Sequence, residues 1–447
     1  MSRFMLAAMN SNSGKTTMTM ALLAAYKKMQ VDIRSFKTGP DYIDPMFHEK
    51  ILGLTSSNLD PYMMEDDLLV HLLTKNAGDL SIIEGVMGYY DGISTGVSSS
   101  SYDLARRTKT PVVLVVKPKG LAATLAALVQ GVQNFRKDAN IQGVLLNGVS
   151  SMMAAYYKKI VEDNTGIRVY GYLPLFEEGL ESRHLGLITA DEIENLQDLV
   201  GTYGDQALES IDLEGLMALG QGAGDLTDTY PEVKKIGQVR LALARDRAFS
   251  FYYNDALDYL RDLGADIVEF SPLANQAVPQ DVQGVYLGGG YPELYMEDLE
   301  KNQVFLESLR DCHKKGMPIF AECGGYMTLL EDFQEGDRTY QLAGLIPGTS
   351  QMTGKLQNFG YIDLVAQEDN LLAQKGDHIR AHEFHYSKST NPGEVFQGKK
   401  PQSQRGWSAM VQDGNLCAGY PHIHLMANPK AAHRFVEAMK KYKEMKQ

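Results

Sequence analysis

Cysteine is scarce in this chain of 447 residues: there are three, Cys312, Cys323 and Cys417. So few thiols, so widely spaced, argue against a disulfide framework and against a zinc site. No apolar run is long enough to span a membrane, and the opening, MSRFMLAAMNSNSGKTT, turns polar too soon for a secretory signal. A basic excess is missing as well. The formal net charge is −13, which disfavours nucleic acid as a partner. An anionic small substrate stays open, because net charge says little about the field inside one cleft. There is no internal repeat. These absences leave a cytoplasmic enzyme of ordinary globular composition, long enough for two or three domains, monomer or homodimer.

Apolar runs are plentiful, and each precedes a polar stretch with helical spacing. RFMLAAM, VDIRSF, LSIIEGV, PVVLVV and IQGVLLN fall within residues 3–147. Continuous apolar runs alternating with helices predict a parallel sheet covered on both faces, hence a doubly wound α/β domain. Residues 191–235 break the alternation. DEIENLQDLVGTYGDQALESIDLEGLMALG has helical spacing, and QGAGDLTDTYPEV is rich in Gly, Pro and Asp. This reads as a helical connection followed by a linker. A second strand series runs through VRLALARD, ADIVEFS, GVYLGGG and PIFAEC to NLCAGYPHIHLM. Two doubly wound α/β domains are therefore expected, at 1–190 and 236–447.

Directly after the first apolar run comes NSNSGKTTMTMALLAAYKKM. Ser13, Gly14, Lys15, Thr16 and Thr17 form the end of a phosphate-binding loop. Such a loop aims backbone N–H groups at phosphates, adds the positive end of a helix and a lysine charge, and offers a threonine hydroxyl to Mg²⁺. ATP and Mg²⁺ are the ligands this implies. The usual pattern asks for glycine at position 9, and Met9 stands there; this points to a variant loop, as in synthetases related to dethiobiotin synthetase. Metal chemistry needs acids near the loop. Asp41 and Asp44 follow the second run; Glu84 ends the third and Asp91 lies in the loop after it. Strand carboxyl ends gather on one edge of such a sheet, so these acids can converge. Each also has a plain reading as a capping or loop residue.

The second domain holds another constellation. GVYLGGGYPELY ends a strand in three glycines, and Gly289 and Gly290 can present N–H groups to an oxyanion. PIFAECGG places Cys323 at a strand end, with the Gly324 N–H as a second donor. One reading is a strand-to-helix turn that exposes a nucleophile; the other is a buried structural cysteine. AGYPHIHLM supplies His422 and His424, and a histidine near a thiol is how a cysteine becomes nucleophilic near neutral pH. Together the glycine loop, the cysteine and the late histidine resemble the class I glutamine amidotransferases. Many of those carry a glutamate two residues past the histidine to orient it. His424 occupies that place here, so the site reads as a dyad of Cys323 and His422, with His424 as the other candidate base.

Taken in order, FKTGPDYIDPMFHEKILG, NLDPYMM, EGVMGYYDG, SRHLGL, ARDRAFSFYY, LGGGYPELY, AECGGYM and HEFHYS resemble the cobyrinate a,c-diamide synthase family from Met5 to about Pro429. The resemblance implies amidation of the a and c acetates of a corrin macrocycle, in cobalamin biosynthesis. Each carboxylate would be activated by ATP as an acyl phosphate and amidated with ammonia from glutamine, with Mg²⁺ required and the two sites facing one another. By position it implies Gly14, Lys15 and Thr16 on phosphate, Thr16, Asp41 and Glu84 on metal, and Asn147 at the adenine. Tyr42 and Asp91 would handle substrate or intermediate, and His382 and His385 would face the macrocycle. Lys117 stands where relatives usually have aspartate. Nickel sirohydrochlorin and hydrogenobyrinate are alternative macrocycles for the same chemistry. An alternative of another class, a P-loop regulatory or binding protein without catalysis, is opposed by intact Lys15, Thr16, Cys323 and His422.

Overall fold

The computed structural model describes residues 1–176 and 190–446. They divide into two compact units, Met1–Tyr230 and Pro231–Gln447. The motif SRHLGL lies outside the described residues. No helix among the described residues is long and apolar enough to cross a membrane.

The first unit is built on one parallel sheet. Its strands are β1 (Arg3–Ala8), β2 (Ile33–Thr38), β3 (Ser56–Leu59), β4 (Leu80–Glu84), β5 (Val112–Val116), β6 (Ile141–Asn147) and β7 (Arg168–Leu173). They lie in the order β3-β2-β4-β1-β5-β6-β7. β1, β4 and β5 are buried along their whole length, which is why they read as unbroken apolar runs. The chain places β2 to β4 on one side of β1 and β5 to β7 on the other. The carboxyl end of β1 thus lies where the winding reverses, the position at which open α/β sheets bind ligands.

The helix Ala190–Ser210 corrects one expectation. Read from sequence as part of a connection, it packs against the helix Lys15–Lys28 that follows the phosphate loop. Val200, Tyr203 and Ala207 are fully buried in the same core as Met18, Leu22 and Ala25. The Tyr26 hydroxyl donates to the Leu213 carbonyl at 2.8 Å and ties the next helix, Leu213–Gln221, to the same layer. An amphipathic helix with an apolar face must bury it somewhere, and the first sheet is where it does so. The first unit consequently ends at Tyr230.

The second unit contains two sheets. One has β8 (Val239–Ala244), β9 (Ala265–Phe270), β10 (Gly284–Leu287) and β11 (Ile319–Glu322) in parallel. The other consists chiefly of β12 (Leu330–Glu335), β13 (Arg338–Gln341), β14 (Ile346–Ala366) and β15 (His378–Ser389). β16 (Phe396–Lys399) pairs with β14, and β17 (Gly406–Ala409) pairs with β16. β18 (Val411–Asp413) and β19 (Leu416–Gly419) return to the first sheet, whose order is β18-β19-β11-β10-β8-β9. β20 (His422–Ile423) pairs with β15. The last apolar run, read as one strand, is therefore two strands in different sheets. Pro421 lies at the break, and a residue without an N–H cannot continue a ladder.

Candidate functional site

Gly14 is the turning point of the phosphate loop. It caps the helix Lys15–Lys28 with φ 86°, a left-handed conformation that favours glycine. It also lacks room for a side chain, since a Cβ there would meet the Asn147 amide nitrogen at 1.9 Å. That amide donates to the Ser13 carbonyl at 3.0 Å. Asn147, expected at the adenine, braces the loop from the end of β6. The Ser13 hydroxyl turns back to the Asn10 side chain at 2.6 Å. Lys117 lies beside the same strand end, with its Cε 3.5 Å from where a Cβ of Gly148 would stand.

Lys15 is buried and donates to the Met87 carbonyl at 2.6 Å. Burial lowers its pKa, with Glu84 the main opposing influence. Met87 has φ 48°, a strained conformation for a side chain of this kind. The Thr16 hydroxyl donates to Glu84 Oε1 at 2.8 Å. Asp91 accepts the Gly88 N–H at 2.9 Å, so it shapes the loop that receives Lys15. Tyr42 is buried at the start of the helix Ile43–Leu52.

Lys37, at the end of β2, was not singled out from the sequence. Its ammonium lies 3.0 Å from Glu84 and 3.8 Å from Asp41, and it pairs directly with Asp44. Burial alone would lower its pKa, but the three carboxylates outweigh burial and keep it charged. Burial pushes Asp44 up, and Lys37 more than compensates, holding the carboxyl below the usual range. Burial raises Glu84 to about 7 even with Lys37 beside it. A signal was present: a lysine ending a buried strand, with acids four and seven residues on, is costly to bury unless those acids pair with it.

The residues fit Mg²⁺. Glu84 Oε2 is buried without a hydrogen-bond partner among the described residues, as is the His48 Nε2 that lies 3.7 Å away. Among the described residues there is no cluster of three or more His, Cys, Asp or Glu that would cage a metal. Mg²⁺ does not ask for one: it takes one or two carboxylates and completes its shell with water and phosphate oxygens.

In the second unit Cys323 adopts φ 46° and ψ −102° between β11 and the helix Gly324–Leu329. This positive φ is the strained turn that the sequence reading raised for a nucleophile. The cysteine is held by its own N–H, which donates to the Gly419 carbonyl at 2.8 Å. Gly289 lies between Cys323 and His422. A Cβ added at Gly289 would stand 2.5 Å from His422 Cε1 and 3.5 Å from Cys323 Cβ. The glycine loop, the thiol and the imidazole, distant in sequence, thus meet at one point. A Cβ on Gly324 would lie 3.4 Å from the Gly290 nitrogen, so the two proposed oxyanion donors are also neighbours. The loop is anchored by Tyr252, whose hydroxyl accepts the Gly288 N–H at 2.8 Å.

Burial pushes the Cys323 thiol well up, aided by Glu293 and opposed by the Gly324 N–H. Burial also drives His422 far below the usual imidazole range, with His382 and His385 adding to the effect. Both shifts favour the neutral thiol and the neutral imidazole, which suits general-base transfer of the thiol proton during attack rather than a preformed ion pair.

The histidines of HEFHYS lie beside the glutaminase pair. They are buried in the second unit. His382 stacks on His422 with ring centroids 4.9 Å apart and planes 13° apart, in the register that pairs β15 with β20. The Tyr253 hydroxyl lies 2.9 Å from His382 Nε2. His385 stacks face to face on Tyr420 at 3.7 Å and contacts Glu383 at 3.2 Å. His424 is fully buried, accepts the Ala427 N–H on Nδ1 at 3.2 Å, and packs on Tyr253 at 4.6 Å.

This assigns His424 a local turn that an asparagine oxygen can take over. His422→Asn should therefore lower glutamine hydrolysis by about a hundredfold or more, the scale of a lost general base. His424→Asn should stay within about tenfold of the parent protein in the same assay, since a lost turn contact displaces the base less than deleting it. The reverse order would move the base to His424.

Comparison with known proteins gives a consistent match. A family model described as a CobB/CobQ-like glutamine amidotransferase domain matches residues 240–430, and one described as an AAA domain matches residues 2–178. A cobyrinate a,c-diamide synthase of Listeria monocytogenes serotype 4b is 40% identical over 440 residues, covering 96% of this chain and 97% of its own. One from Caldanaerobacter subterraneus is 38% identical, covering 97% of each chain. One from Thermoplasma volcanium is 37% identical, covering 100% of this chain and 99% of its own.

Proposed function

Because the chain belongs to the cobyrinate a,c-diamide synthase family, and is thus a glutamine-dependent amidoligase that uses ATP in cobalamin biosynthesis, we propose that it amidates the a and c acetates of cobyrinate through acyl phosphates. The observation that carries this reading is the presence on one chain of both halves: a phosphate loop backed by acids, and a cysteine and histidine converging on a glycine loop.

In the glutaminase half, the Cys323 sulfur attacks the side-chain amide carbon of glutamine as His422 accepts the thiol proton. The amide oxygen takes negative charge and is met by the N–H groups of Gly289, Gly290 and Gly324, donors of a kind worth about 3 kcal/mol each when aimed at such an oxyanion. The carbon–nitrogen bond then breaks, the proton passes from His422 to the leaving ammonia, and water hydrolyses the thioester to glutamate. In the synthetase half, a substrate carboxylate oxygen attacks the γ-phosphorus of ATP and ADP leaves. Ammonia attacks the acyl carbon and phosphate leaves. Ser13, Gly14, Lys15, Thr16 and Thr17 hold the phosphates, and Lys15 neutralises charge gathering on the transferred group. Thr16, Asp41 and Glu84 would hold Mg²⁺, which supplies further neutralisation of phosphate charge when bound. Lys37 supplies the counter-charge to the carboxylates, and Tyr42 and Asp91 would serve the carboxylate being activated.

Mass spectrometry of the products from purified protein, ATP, glutamine and cobyrinate tests the reading. The expected result is the gain of two amides. Nickel sirohydrochlorin and hydrogenobyrinate, supplied in competition, should be used less well. Preferential amidation of either would replace cobyrinate as substrate, and no amidated product from any of them would overturn the reading.

A further inference from the structure

A single buried carboxyl joins the three pieces of the glutaminase site. Glu322 ends β11, directly before Cys323, and is 1% exposed. Its Oε1 accepts the Ile423 N–H at 2.6 Å, one residue past His422. Its Oε2 accepts the Tyr286 hydroxyl at 2.7 Å, from the strand that runs into the glycine loop. The same side chain thus reaches the nucleophile's strand, the base's strand and the loop's strand.

The topology explains why such a tie matters. The chain leaves one sheet at Gly419, where it is paired with Glu322, and joins the other at His422. β20 is only two residues long. The histidine therefore sits on a short piece of chain between two sheets, where the oriented geometry that catalysis needs is easily lost. Where a carboxylate two residues past the histidine would orient the ring, this chain has His424.

We propose that Glu322 is a positioning residue for glutamine hydrolysis: by holding the backbone behind His422 and the strand of the glycine loop, it sets the imidazole against the Cys323 thiol. The inference rests on Cys323 and His422 being the glutaminase pair. Burial raises the Glu322 carboxyl to about 8, with its bonds to Tyr286 and Ile423 opposing the rise. Glutamine is its nearest mimic, keeping an oxygen for the Ile423 N–H and an amide that can meet the Tyr286 oxygen with the bond reversed.

The experiment compares Glu322→Ala, Glu322→Gln and Cys323→Ala in the full-length protein, with glutamine or ammonium chloride as nitrogen source. Glu322→Ala should lower kcat for glutamine hydrolysis by about a hundredfold, the cost of misplacing a catalytic group by roughly 1 Å. Its KM for glutamine should change by less than about threefold, because the residue does not touch glutamine. Amidation from ammonium chloride should persist. Glu322→Gln should recover kcat to within about tenfold of the parent, since the Ile423 bond is kept and the Tyr286 contact can re-form in the opposite direction. Should Glu322→Ala fail to fold, Tyr286→Phe, which removes one bond and leaves the other, should lower kcat by roughly fivefold to tenfold at constant KM. The proposal is overturned by a kcat near the parental value in the alanine variant, or by a folded glutamine variant as impaired as alanine. It is likewise overturned if alanine does not fold and Tyr286→Phe keeps the parental kcat. Hydrolysis that survives in Cys323→Ala would instead strike the underlying pair, a different result from failure at Glu322 alone.

Discussion

Replacing Cys323 with alanine is expected to abolish amidation from glutamine, by about ten-thousandfold or more, while amidation from free ammonia continues. The size follows from what is removed. Without the sulfur no thioester can form, and the remaining oxyanion donors act on uncatalysed attack by water. The selectivity follows from the fold. Cys323 lies in the second unit, and the phosphate loop with its acids lies in the first, each with its own sheet and core. Alanine also suits the position, because Cys323 is buried and the change removes one atom and adds none. The measurement is product formation with each nitrogen source at saturating ATP. Equal loss with both would mean that Cys323 serves the synthetase chemistry as well, and the division of labour would fall.

Replacing Lys15 with alanine should stop synthesis with either nitrogen source, by roughly a thousandfold or more, the scale on which a cation placed against a transferring phosphoryl group acts. Among the described residues Lys15 is held ready by Met87 and not by a carboxylate salt bridge: its ammonium donates to a backbone carbonyl at 2.6 Å. A neutral carbonyl is a weak competitor for a cation compared with a phosphate, so the side chain can transfer to ATP at little cost. Lys37 cannot substitute. It is fixed among Asp41, Asp44 and Glu84, and removing it from them would leave buried carboxylates without a counter-charge. Glutamine hydrolysis in the absence of synthesis should persist in Lys15→Ala, and that is the control that the second unit is folded. Turnover unchanged from the parent would remove the phosphate loop from the mechanism.

The legible parts of the sequence were those whose chemistry is local. The loop before the helix Lys15–Lys28 announces itself within a few residues, because backbone geometry, lysine and hydroxyl must all be adjacent. The buried strands of both parallel sheets could be read because burial on two faces demands unbroken apolar runs. β14 and β15 could not. β14 runs through IPGTSQMTGKLQNFGYIDLVA, a polar and glycine-containing segment that is half in solvent, so its strand character comes from its partners and not from its own pattern. The same holds for side chains. Nothing near Asn147 in sequence says that its amide will reach Ser13, and nothing in HEFHYS says that β15 will lie beside β20 and stack His382 on His422. The helix Ala190–Ser210 was recognisable as a helix, while the surface it covers was not.

The crowding at Gly289 has a hereditary consequence. Every missense change of a glycine codon introduces a Cβ, and here that atom would stand 2.5 Å from the imidazole of His422. Codon 289 can therefore drift only silently unless codon 422 changes with it, and codon 422 encodes the proposed base. The two positions form a locked pair in which neither can explore alternatives first. Substitutions should be tolerated more readily at places such as the half-exposed β14, where a new side chain meets water.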